Sequence, residues 1–302
     1  MFITISKALM RPSILMVATT LSFVIADTQI KVIGASLPPA QIIGAIGVMS
    51  TLFLLALCAQ QKLLSSIPQI FEPHVLARSV FDVAGSFFFV GALMYTPLGN
   101  LAAIMQSVPL VVTMLAILFL GEKGSPTRWL AILVGFAGVL LIVKPTLNNI
   151  AAYQVMALCT VLVVALRDLV TKRIPPTVPL PIITLSNSVF VSLAGWGYAF
   201  FEGAKAMEPW NIKLLIGAGL FITVGYLLIV SSVRLGELSA TAPFRYSEVV
   251  FAVISSMLVF GEYPDILAYV GMALIIGAGL VTAWYETVKA HELEADMMPP
   301  VF

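Results

Sequence analysis

Charge is what this chain has least of. Only 10% of its 302 residues are charged, 60% are hydrophobic, and the mean hydropathy is +1.04. A soluble globular protein carries roughly 25% charged residues, so the composition excludes a water-soluble enzyme. Sixteen Lys and Arg against fifteen Asp and Glu leave no basic footprint for nucleic acid. Two histidines, His74 and His291, are too few for a histidine-based metal site. Two cysteines, Cys58 and Cys159, sit inside apolar runs and read as small buried hydrophobes rather than a disulfide framework. A GxxxxGK[ST] loop for ATP and an HExxH zinc motif are both missing. The chain is therefore expected to use no cofactor.

What is present is apolar length. A membrane helix needs about 20 mostly apolar residues to cross a hydrocarbon core of about 30 Å. Ten segments meet that need: Ser13–Gly34, Pro39–Ala59, Ala77–Tyr95, Asn100–Leu120, Arg128–Val143, Ile150–Thr171, Pro181–Phe201, Leu214–Val233, Leu238–Phe260 and Ile266–Tyr285. The connections are short and carry breakers such as Pro38-Pro39, Pro97-Leu98-Gly99, Lys144-Pro145 and Pro175-Pro176. Lys7 and Arg11 precede the first segment as in a signal peptide, but no small-x-small cleavage site follows, so it reads as a retained helix.

Lys and Arg collect in cytoplasmic loops. With a cytoplasmic N-terminus, eleven of the sixteen fall inside and four outside, and Arg245 falls within a span. Both termini are expected in the cytoplasm, and the chain in a bacterial inner membrane.

The sequence also repeats itself. Leu98-Gly99-Asn100 is echoed by Leu235-Gly236-Glu237, and Gly121-Glu122 by Gly261-Glu262, 140 residues later. Asp27-x-x-x-Lys31 is echoed by Asp168-x-x-x-Lys172 at an offset of 141. Five helices per repeat is an odd number, so the second repeat enters the membrane upside down. Inverted repeats recur in secondary transporters, whose substrate site lies between the halves near the midplane. The expected fold is an all-α membrane protein of ten helices in two inverted repeats, residues 1–146 and 147–288, with a short tail over 289–302.

The 5+5 layout, both Gly-Glu pairs and the stretch Ala242-Pro243-Phe244-Arg245-Tyr246-Ser247-Glu248 resemble the drug/metabolite transporter superfamily, EamA type. The segment from Ala240 through Pro264-Asp265, with Arg78, Pro97 and Pro109, is similar to a bacterial branch that includes S-adenosylmethionine uptake carriers. The chain departs from the family where an acid and an arginine often stand early in helix 2, reading Gln41-Ile42-Ile43-Gly44 instead. The resemblance implies a central cavity enclosed by helices 1–4 and 6–9, with helices 5 and 10 at the periphery. The family also includes amino-acid exporters and vitamin carriers, so it does not fix the cargo.

Ionisable side chains inside a span are costly and usually face a cavity or a partner. Arg245 and Glu248 are three apart, on one helical face, next to Tyr246. They are candidates for a carboxylate-binding fork and a cation or proton site, or for an internal ion pair. Asp27 with Lys31, and Asp168 with Lys172, fit either i,i+4 pairs, paired gates at opposite faces or helix-end charges reaching the interface. Arg78 can snorkel, whereas Asp82 lies a turn deeper. Gln106 and Ser107 in helix 4, and Asn187 in helix 7, are candidates to bind substrate or to bond helices together. Tyr95 and Tyr226 divide between cavity and interface. The Gly-Glu pairs read as helix-ending turns, and Gly135-x-x-Gly138 and Gly271 with Gly277-x-Gly279 as close-packing surfaces.

Together these features point to a monomeric secondary transporter that carries a small zwitterionic metabolite by alternating access, driven by a proton or by an exchanged substrate. An integral membrane enzyme, a passive channel, a riboflavin-like vitamin carrier and an amino-acid exporter are the alternatives.

Overall fold

The computed structural model describes residues 12–119, 125–144, 151–235 and 242–297. Lys7, Arg11, Gly121-Glu122 and Gly236-Glu237 lie outside the described residues. The described chain is helical, with no strand, and nine of its helices are long and apolar enough to cross a membrane. These are α1 (Pro12–Ile33), α2 (Pro39–Gln60), α3 (Pro73–Tyr95), α4 (Leu98–Phe119), α5 (Pro126–Val143), α6 (Ala152–Thr171), α7 (Leu180–Glu202), α8 (Pro209–Ile229 within Pro209–Leu235) and α10 (Ile266–Met297, spanning over Ile266–Tyr285). The tenth segment, α9, is composite. A 3-10 turn over Ala242–Tyr246 leads into an α-helix over Ser247–Ser255 and ends in a π-helical turn over Ser256–Phe260.

The breakers do what their chemistry dictates. Proline has no N–H to lose in a first helical turn, and Pro39, Pro73 and Pro126 each open a helix. Glu72 and Ser125 cap two of these helices by accepting from Val75 N and Arg128 N. Gly261 closes α9 in the left-handed conformation, φ +66°, which L side chains rarely adopt. Inside α4 the helix breaks between Met105 and Val108, where Pro109 supplies no donor and the Ser107 hydroxyl bonds to Ile104 O.

The packing repeats when each helix n is exchanged for n+5. α1 packs on α8 as α6 packs on α3, and α1 meets α9 as α6 meets α4. α2 pairs with its own counterpart α7, and α5 with α10. Glycine permits both self-related crossings. A Cβ on Gly195 would strike the Gly44 backbone, and one on Gly138 would stand 2.7 Å from Gly271 O. Backbones come this close only where side chains are absent, the usual device of membrane helix packing. The α5–α10 pair lies at one side of the bundle, so the interior is framed by the other helices. α10 runs as helix to Met297, twelve residues beyond the end of its span.

Candidate functional site: a cavity between the two halves

Between α1, α2, α3, α7 and α8 lies a cavity of about 230 Å³. Phe23, Asp27, Ser50, Asn187 and Tyr226 are among its walls. Asn187, Ser86, Phe89 and Tyr226 also wall a second space of about 200 Å³, which reaches Met105 of α4, Asp82 of α3 and Arg167 of α6. The two spaces share these four wall residues and together make a mainly apolar tract, with polar groups at its limits, from Asp27 to Arg167, and neither α5 nor α10 lines it. Helices 1–4 and 6–8 supply its walls, whereas the resemblance implies helix 9 as well, and no residue of α9 lines either space.

At one limit of the tract stands Asp27. It makes no ion pair among the described residues. Hydroxyl bonds between Thr20 and Ser247 at 2.7 Å, and between Thr28 and Ser255 at 2.6 Å, fix α9 beside α1 there. Glu248 accepts from Gln106 Nε2 at 2.9 Å, so the break in α4 ties that helix to α9. In the middle, Asn187 Oδ1 and Ser50 Oγ are buried without a partner. The Tyr226 ring stands edge-on to Phe23 at 5.5 Å.

The other limit is a four-residue ionic network. Asp82, 5% exposed, accepts from Arg78 at 2.6 Å and from Arg167 at 3.3 Å. Arg167 also donates to Asp168 at 2.7 Å. Arg78 Nε donates to Thr171 Oγ1 at 3.0 Å. Two arginines balance two aspartates, so the network is neutral and joins α3 to α6.

Beyond Asp27, toward the helix ends at Ile33 and Phe260, the bundle is tied together. Lys31 Nζ donates to both Glu262 oxygens at 2.7 Å and to Thr96 O at 2.8 Å, and it sits 4.8 Å from the centre of the Phe260 ring. Ser256 Oγ donates to Glu262 Oε2 at 2.9 Å. This single ammonium, 8% exposed, joins α1, the α3–α4 turn and the end of α9. The tract extends the other way. Leu54 and Thr184 line it, six and four residues from the nearer ends of α2 and α7.

Several candidate residues fall elsewhere than expected. Arg245 is exposed in the 3-10 turn that starts α9, rather than deep in a span, and forms no ion pair with Glu248 among the described residues. Tyr246 turns to α10, where its ring occupies the space a Cβ on Gly279 would need. Lys31 pairs with Glu262 rather than Asp27. Asp168 pairs with Arg167 rather than Lys172, which is exposed. Tyr95 is 73% exposed and stacks on Tyr153. Gln106 is buried and joins α4 to α9, and Ser107 is buried and bonds within α4, both outside the tract. Gln41 bonds both ways with the Lys205 backbone, which fixes the α7–α8 connection. Asp27 lines the first space, Asp82 the second, and Asn187 and Tyr226 both. Arg167 and Glu262 carry contacts that sequence reasoning did not assign them.

The profile of the EamA-like transporter family matches residues 10–144 and again residues 152–284. The chain belongs to the EamA-like transporter family. Its two matched halves are the two packing repeats described above. A riboflavin transporter of Rhizobium johnstonii is 26% identical over 205 residues, 68% of each chain. An S-adenosylmethionine uptake transporter of Rickettsia bellii is 26% identical over 219 residues, 70% of this chain and 72% of that one. The pseudopaline exporter CntI of Pseudomonas aeruginosa is 24% identical over 271 residues, 88% of this chain and 93% of that one. A crystal structure superposes with a TM-score of 0.61 at 15% identity, covering 94% of this chain and 98% of that one, a likeness of fold. Family and relatives are transporters of small metabolites rather than enzymes, and the relatives' named cargoes differ from one another.

Proposed function

We propose that this EamA-like transporter is a secondary carrier of a small zwitterionic metabolite, with the Asp27–Arg167 tract as its binding site. The observation that carries the reading is an unpaired carboxylate at one limit and a guanidinium at the other, separated by unpartnered amide and hydroxyl groups. A cationic group on the substrate would take Asp27 as its counter-ion. A carboxylate would compete with Asp82 and Asp168 for the fork of Arg167. Asn187 and Tyr226 would hold the middle of the molecule. Amino acids and S-adenosylmethionine both carry the required pair of charges, and the transport named for the Rickettsia relative is in keeping with this. Riboflavin, a cargo named for other relatives, would leave Asp27 without a counter-ion.

Alternating access would proceed by rocking of the two halves about the glycine crossings. The present state is tied at the Lys31 end. The Lys and Arg bias places that end outside and both termini in the cytoplasm of a bacterial inner membrane, so this state faces inward. The drive is a gradient, through a proton or an exchanged substrate, and the chain works as a monomer.

Counterflow in proteoliposomes tests the reading. A carrier shows saturable exchange of an internal zwitterion for an external labelled one, and Asp27→Asn abolishes it while the protein stays folded. Flux that never saturates would indicate a passive channel. Exchange that survives Asp27→Asn unchanged would remove the charge argument.

A further inference from the structure

One contact among α1, α9 and α10 has no equal among their repeat counterparts α6, α4 and α5. α1 is bonded to α9 through Thr20 and Ser247, and the Tyr246 ring fills the space beside Gly279 of α10. At the repeat offsets of 140 and 141 residues, Thr20, Ser247 and Gly279 correspond to Val161, Ser107 and Val139. These three line a groove of about 340 Å³ between α4, α5 and α6. No hydroxyl pair spans it, because a valine stands in the place of Thr20. No ring fills it, because the residue in the place of Tyr246 is Gln106, which turns to Glu248.

The groove has a floor and a rim. Val111, Val139 and Val161 are 3–5% exposed, whereas Leu140, Leu158 and Leu162 are 41–56% exposed. Among the described residues Ser107 is its only polar wall, and that hydroxyl is committed to Ile104 O. A space walled by apolar side chains stays dry, so water does not fill it. Val161 stands midway along the span Ala152–Thr171, a depth that soluble molecules do not reach. The remaining occupants are a helix of a second copy and a lipid tail. An α-helix is about 10 Å across and climbs 5.4 Å per turn, so one turn takes about 400 Å³. That exceeds the whole groove, whereas a single hydrocarbon chain fits it.

We propose that this groove seats one acyl tail of a bilayer phospholipid. The tail lies on the valine floor, between the exposed leucines, where the equivalent contact of the other three helices holds the Tyr246 ring and the Thr20–Ser247 bond. It keeps α4 and α6 at their present spacing. Recognition is of the chain rather than the headgroup, since no charged residue lines the groove. The inference does not depend on the zwitterion reading, because groove and tract share no lining residue.

Photolabelling of the full chain in proteoliposomes tests it, using phosphatidylcholine with a diazirine halfway along one tail and adducts mapped by tandem mass spectrometry. Every exposed side chain of a span meets lipid, so the readout is the floor. Val111 and Val161 are expected to carry adducts. Leu101, fully buried in the same helix as Val111 but outside the groove, is expected to carry none. Val139→Phe puts a ring where the tail lies and should remove the Val111 adduct, while Leu133, exposed elsewhere on α5, keeps its own. Val161→Phe serves in the same way if the Val139 variant does not fold. A floor without adducts, a floor labelled no more than Leu101, or a Val111 adduct undiminished in a folded ring variant would each overturn the proposal. A second copy in the groove would appear as disulfide dimers of Leu158→Cys, in a protein lacking Cys58 and Cys159, with the floor unlabelled, and would overturn it too. Loss of zwitterion exchange in the Asp27 variant bears on the central site alone.

Discussion

The Lys31 end and the Arg167 end of this protein are built from equivalent parts of two like halves, and they differ. At the Lys31 end one ammonium joins three separate elements through Glu262, Thr96 and Phe260. At the Arg167 end the ionic network joins only α3 and α6, already neighbours in each half's exchange pattern. Lys172, the repeat counterpart of Lys31, is exposed and makes no ion pair among the described residues. A chain of two inverted halves has two ends of similar chemistry, and a state that faces one side must hold one end and release the other. Glu122, the repeat counterpart of Glu262, lies outside the described residues, and on the proposed rocking of the halves the ties at the two ends would exchange.

The largest effect is expected where the network is buried. Asp82→Ala leaves Arg78 and Arg167 without their shared carboxylate and should cost about 3–5 kcal/mol of stability. Denaturant titration in detergent measures this, and the Asp82→Asn variant should lose less. Next is Lys31→Met. Glu262 is partly exposed, so solvent screening reduces the loss to about 2–3 kcal/mol, taken from the present state rather than from the fold. The Lys31 end should then open, read as faster labelling of a cavity cysteine from that face. Gly138→Val should cost about 1–3 kcal/mol through overpacking at the α5–α10 crossing without favouring either end. Thermal unfolding should fall while the sidedness of labelling stays constant. The smallest effect belongs to Lys172→Met, within about 0.5 kcal/mol in stability and with unchanged sidedness. A response as large as that of Lys31→Met would show that the two ends do not differ.

The fold was legible because its signals are local. Apolar length located the helices, proline and glycine marked their ends, and the repeated motifs exposed the two halves. Asp82 and Asn187 stood out in the sequence as candidates because a polar group in an apolar run needs a reason. Three features were not. Arg245 lies inside the apolar segment Leu238–Phe260, and hydropathy does not distinguish a 3-10 entry turn from a helix centre. Lys31 was read with Asp27, four residues away, because the pairing with Glu262 spans 231 residues and depends on how the halves meet. Arg167 was overshadowed by its neighbour Asp168, since adjacent residues face different ways on a helix and only α3 shows which of them matters.

The central claim is that the tract between Asp27 and Arg167 is a transport site tied shut at the Lys31 end. Ser50, buried in the tract wall, reports on it directly when replaced by the only cysteine, in a protein lacking Cys58 and Cys159. A membrane-impermeant maleimide is applied from the face that carries Tyr263 or from the face that carries Lys172, in proteoliposomes of defined orientation. Ser50→Cys should be labelled from the Lys172 face, be spared from the Tyr263 face, and be protected by a bound zwitterion. Labelling from the Tyr263 face alone would contradict the account, as would labelling from the Lys172 face that no zwitterion slows.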